Sequence, residues 1–169
     1  MTTADTRETA GEPGPDSHID RVTLDEHSVV SRSADIEDER ATAIADLLEE
    51  NTFIPVSGRR GPFDLHLAIV ENRLNLEIRS RSDGSAETIV LPLAPFRGIV
   101  KDYFMVCESY YAAVHASRLA QIEAIDMGRR SLHDEGSALL IDRLADKVAI
   151  DHATARRLFT LICVLHLRG

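Results

Sequence analysis

Only two cysteines stand in the 169-residue chain, Cys107 and Cys163, each inside an apolar stretch of helical character. Two such thiols make no disulfide framework, and free cysteine in these surroundings packs as a small hydrophobe. No apolar run approaches the ~20 residues of a membrane span. The longest, LFTLICVLHL at 158–167, suits a buried helix. The opening residues, MTTADTRETAGEPGPDSH, lack the basic start and apolar core of a secretory signal, so a cytoplasmic location is expected. Lysine is absent from residues 1–51, where 14 Asp and Glu face 4 Arg; residues 52–169 hold 14 acids against 15 Lys and Arg. The net charge of −9 is thus concentrated in the first third. That third would repel phosphate, so no nucleic-acid partner is expected. It serves solubility or a basic partner. The familiar catalytic signatures are also missing: no nucleotide-binding glycine pattern, P-loop, nucleophile elbow, paired CxxC or HExxH occurs. Nothing calls for a cofactor or a metal, and no repeat suggests a solenoid.

What is present reads as an α+β protein. Residues 1–17 mix Thr, Glu, Gly, Pro and Asp without apolar periodicity and are expected to form a disordered acidic tail before a single domain at 18–169. Ile19, Val22 and Leu24 offer a short strand. Ser33 or Asp35 is expected to cap a helix through DIEDERATAIADLLEEN, with acids in its first turn and an inner face of Ile36, Ala43, Ile44, Leu47 and Leu48. Asn51 is its expected terminator. DLHLAIV and RLNLEIR then alternate apolar and polar residues around Glu71-Asn72, the pattern of a two-residue hairpin. That register sets Leu65 opposite Ile78, Leu67 opposite Leu76 and Ile69 opposite Leu74. Its other face pairs Asp64 with Arg79 and His66 with Glu77. SDGS turns into a third strand, ETIVLPL, completing a small antiparallel meander.

The remainder is helical. Phe96, Val100, Tyr103, Cys107, Tyr110 and Val114 step by three and four, widened by Ile99 and Tyr111, so they form one core-facing stripe. Residues 118–147 read as one long helix or as two. Gly128 and Gly136 each cost roughly 1 kcal/mol inside a helix, which calls either for close approach by another backbone or for a break near Gly136. Asp151 caps a nearly all-apolar final helix, expected to be the most buried.

The segments DIEDERATAIADLLEENTF, FRGIVKDYFMVCESYYAA, QIEAIDMGRRSLHDEGS and TARRLFTLICVLHLRG, in this order, closely resemble an uncharacterised alphaproteobacterial protein family of the UPF class. The resemblance covers residues 18–169 and omits the tail. It implies a bacterial cytoplasmic protein, and it implies no activity, cofactor or catalytic residue.

Two constellations carry chemistry. Glu123, Asp126, Arg130 and His133 share one helical face. On a functional reading, Glu123 and Asp126 accept protons or bind metal, His133 is the acid-base group and Arg130 holds an anion. On a structural reading, Asp126 pairs with Arg130 four residues on while Glu123 and His133 meet water. The second constellation is basic: Arg129, Arg130, Arg156 and Arg157. If the long and terminal helices lie side by side, their guanidiniums converge on phosphate or a carboxylate-rich partner. The acids Glu37, Asp38 and Glu39 would satisfy them internally instead. Absent signatures favour a non-catalytic interaction or regulatory protein, with an unknown protein partner or self-association. A small enzyme or anion-binding protein using the Glu123 face is the alternative.

Overall fold

The computed structural model describes residues 14–25 and 34–166. Residues 1–13, the bulk of the expected tail, and Ser33, one of the two expected caps, lie outside the described residues.

The hairpin forms as the alternation requires. Strands β3 (Phe63–Val70) and β4 (Arg73–Ser80) pair antiparallel in the expected register, with Leu65 opposite Ile78 and Leu67 opposite Leu76. Glu71 and Asn72 take φ of 50° and 61°, the left-handed pair that matches a tight turn to the strand twist. Strand β5 (Ala86–Pro92) adds to β4. The first strand, β1 (Ile19–Leu24), extends this meander at its other edge and runs parallel to β3, giving a mixed sheet ordered β1-β3-β4-β5. Parallel neighbours need a crossover, and helix α1 (Ala34–Glu49) lies within that connection.

Asn51 is the joint between α1 and β1. Its amide donates to Leu47 O at 2.7 Å and to Ile19 O at 3.0 Å, and its Oδ1 accepts from Ile19 N at 2.6 Å. One side chain thus closes the helix end and fixes the strand beside it. At the other end, α1 begins before Asp35, so Asp35 lies within the first turn and does not cap it. Only Ala43 and Leu47 of the expected inner face are fully buried, while Leu48 is exposed because the helix rests on a narrow strip.

Two three-residue strands escape the alternation signal because they are too short to show it. β2 (Phe53–Pro55) and β6 (Val148–Ile150) pair antiparallel as a second sheet. Helix α2 (Arg97–His115) follows a single 3-10 turn and packs along α3 (Leu119–Leu144). Val114, read as part of the α2 stripe, is exposed, and its neighbour Ala113 is the buried residue there. α3 continues unbroken through Gly136. What approaches Gly136 is a ring, that of Phe159, and not a backbone.

Helix α4 (His152–His166) is capped by Asp151, whose Oδ1 accepts from Thr154 N at 2.9 Å. Ten of its residues are buried, more than in any other helix, and it packs between α1 and α3 against β3. Each large side chain so enclosed contributes roughly 1.5–3 kcal/mol.

The other sheet face carries the polar side chains in the expected register, with further contacts that the register does not give. His66 lies opposite Glu77 in register, and its Nδ1 also sits 2.7 Å from Thr23 Oγ1 on β1. Asp64 lies opposite Arg79 in register but binds Arg81 Nε at 2.6 Å. The Thr23 contact follows from β1 lying beside β3, which sequence periodicity does not indicate.

Candidate functional site

α4 carries few polar side chains, and several fall on one face. His152, Arg156 and Thr160 are four residues apart, with Arg157 beside them. This face forms one wall of a cleft of about 640 Å³, opposed by Glu39 and Asp46 of α1 and by Arg129 and His133 of α3. The cleft is therefore basic towards α4 and acidic towards α1.

Its side chains are differently engaged. Arg129 binds Glu39 at 3.1 Å and lies 4.9 Å from the centre of the Tyr110 ring, a cation–π stack. Asp134 at the edge meets Arg156 at 3.8 Å and His152 at 3.5 Å. Arg157 donates through Nη1 to the Ala153 carbonyl at 2.8 Å. Its Nε is enclosed and meets no acceptor, an arrangement that leaves hydrogen-bonding capacity unspent.

His133 turns inward from α3. Its ring stacks on Tyr103 at 5.0 Å and meets Phe159 edge-on at 6.2 Å, and Nε2 lies 3.4 Å from Thr160 Oγ1. Burial, then the charges of Arg156 and Arg129, bring its pKa down to about 4. The imidazole is neutral at physiological pH and a weak base, poorly matched to acid-base catalysis near neutrality.

The four residues of the acidic-basic stripe thus separate. Asp126 pairs with Arg130 at 3.1 Å and approaches Arg129 at 3.9 Å. Arg130 points away from the cleft and is 71% exposed, and Glu123 is exposed nearer the start of α3. His133 alone of the four lines the cleft. Of the four arginines, Arg129, Arg156 and Arg157 line it together and Arg130 does not. His152 and Thr160 were not singled out from the sequence. Their spacing of four from Arg156, in a helix otherwise almost wholly apolar, is the signal that would have found them.

Among the described residues, no group of three or more His, Cys, Asp or Glu side chains is arranged to hold a metal ion. No helix of the described residues is long and apolar enough to cross a membrane. Cys107 and Cys163 are free and buried. Burial pushes the Cys107 thiol up to about 11 and the Cys163 thiol well above its ordinary value, so neither forms a ready thiolate.

The model of the uncharacterised protein family UPF0262 matches residues 16–168. A UPF0262 protein of Rhodospirillum rubrum is 56% identical over 159 residues, 94% of this chain and 98% of the relative. Relatives from Azorhizobium caulinodans and Rhodopseudomonas palustris are each 55% identical, over 92% and 93% of this chain and 97% and 98% of their own. No solved structure matches. With similarity running across nearly the whole length of both partners, the chain belongs to the UPF0262 family.

Proposed function

We propose that residues 18–169 act as one domain of a non-catalytic binding protein whose α1–α3–α4 cleft takes the phosphate or carboxylate group of a small molecule. Arg157 carries this reading. It lines the cleft beside Arg156 and Arg129, forms no ion pair among the described residues, and keeps an enclosed Nε without an acceptor. Arginine presents paired donors that match planar or tetrahedral oxyanions. The first turn of α4, with the positive end of its dipole, borders the same wall. A bound anion takes Arg156 from Asp134 and meets Arg157 directly.

The neutral, weakly basic His133 favours binding over catalysis. The same reading makes the protein cytoplasmic, which suits two thiols that stay free, and gives it no nucleic-acid partner.

The test is calorimetric titration with inorganic phosphate and with citrate at low ionic strength. Saturable binding that falls at least tenfold in Arg157→Ala, with an unchanged circular dichroism spectrum, supports the cleft. Absence of binding, or equal binding by parent and variant, overturns it.

A second reading, self-association through the α2–α3 hairpin, is favoured by Met105, Leu119 and Met127, each more than half exposed. Sedimentation of parent and Met127→Glu checks it: the reading requires a dimer that the variant dissociates.

A further inference from the structure

His133 belongs both to the aromatic packing of the core and to the wall of the cleft. Its hydrogen bonds define where it takes a proton. The hydroxyl hydrogen of Thr160 goes to the Arg156 carbonyl at 3.1 Å, so Thr160 Oγ1 is left to accept from His133 Nε2 at 3.4 Å. The neutral ring therefore carries its hydrogen on Nε2. Nδ1 keeps its lone pair and has no hydrogen-bond partner among the described residues.

The charges around the ring govern whether a proton arrives at Nδ1. Arg156 of α4 and Arg129 of α3 oppose it, and Arg157 adds a third guanidinium to the same lining. Asp134 and Asp126 of α3 favour it, but both are engaged. Asp134 meets Arg156 and His152, and Asp126 meets Arg130 and Arg129. From α1, Glu39 and Asp46 line the opposite wall, and α2 contributes the Tyr103 ring. With enclosure added, the free cleft holds the imidazole neutral.

An anion changes this balance at its source, because the guanidiniums that repel the proton are the ones it neutralises. We propose that the cleft takes up its anion together with a proton, which His133 accepts at Nδ1. The coupling presupposes the anion-binding cleft of the preceding section and adds its regulation: the cleft fills more tightly as the pH falls. Linkage is reciprocal, so the bound anion strengthens proton binding by the same factor as the proton strengthens anion binding. The imidazolium then brings the wall another positive charge and a second ring donor.

The probe is sulfate, which, unlike phosphate, does not titrate near neutrality. Calorimetry on the full chain is expected to show binding at least twofold tighter at about pH 5 than at about pH 7.5, with a heat that varies with the buffer's ionisation enthalpy as protons are taken up. In the parent protein, the NMR titration of the His133 ring should move up by more than one pH unit when sulfate saturates the cleft. His152→Gln removes the other imidazole of the lining and should keep both effects, whereas His133→Phe should bind sulfate about equally at the two pH values. Equal affinity at both pH values in the parent, with no movement of the His133 titration, overturns the coupling and leaves the anion cleft intact. So does a pH dependence that vanishes in His152→Gln and persists in His133→Phe. Sulfate that binds at neither pH overturns the anion cleft and the coupling together.

Discussion

Phe159 occupies the space that a side chain at Gly136 would need. A Cβ built on Gly136 meets the ring at 2.5 Å, whereas one built on Gly128 in the same helix finds nothing within 4 Å. The two glycines look alike in sequence and are opposite in consequence. Gly136→Ala gains about 1 kcal/mol of helix propensity but must push aside a fully buried ring, at about 1–3 kcal/mol or more. Gly128→Ala gains the same propensity at no steric cost. Thermal melting should show a lower midpoint for the first and a rise of about 2–4 °C for the second.

The two neighbouring arginines of α3 separate in the same way. Arg130 is largely exposed and among the described residues pairs with Asp126 alone, so Arg130→Ala should change stability by no more than ~0.5 kcal/mol. Arg129 is 23% exposed, binds Glu39 and stacks on Tyr110. Arg129→Ala leaves Glu39 without its cation and should cost about 1–3 kcal/mol. Denaturant unfolding of both variants checks the contrast.

For His133 the expectation concerns pH. Its folded pKa of about 4 lies below the ordinary 6.5, so between these values the unfolded chain binds the extra proton. The contribution is complete above about pH 6.5 and is lost as the pH falls towards 4. It amounts to roughly 1–2 kcal/mol once solvent screening at a partly exposed ring is allowed for. In His133→Phe, which keeps an aromatic ring beside Tyr103, stability should fall less steeply over that window. Titration of the His133 ring protons by NMR gives the pKa directly.

Asn51→Ala removes three hydrogen bonds at once and leaves the Ile19 N–H without its acceptor. A loss of about 2–4 kcal/mol is expected. The midpoint should fall by several degrees, and exchange should quicken at the Ile19 amide.

Much of this fold was legible in one dimension where the contacts are local. Leu65, Leu67, Leu76 and Ile78 declare their face by alternation, and Asp151 declares a helix start by its own chemistry. The pairing of β1 with β3 was not legible, because Ile19 and Phe63 meet across a helix and no period connects them. Nor were β2 and β6, whose three residues each are shorter than any reliable pattern. At the candidate site the arginine pairs could be read as cationic. The inward turn of His133 depends on the Tyr103 and Phe159 rings arriving from two other helices, and the separation of Arg129 from Arg130 depends on Glu39 arriving from a third.

The parallel seating of β1 also sets an order of assembly. β3, β4 and β5 join through short turns, so their ladders close early and at small entropic cost. β1 meets β3 only when the chain between them has been gathered in, a pairing of high sequence separation and correspondingly slow. Asn51 couples that late event to the docking of α1, since the bonds that end the helix also hold the strand. The edge strand and the first helix should therefore open and close together, as one cooperative unit apart from the meander. Native-state exchange would show amides of β1 and α1 sharing a single opening free energy, below that of β4 at the centre of the sheet.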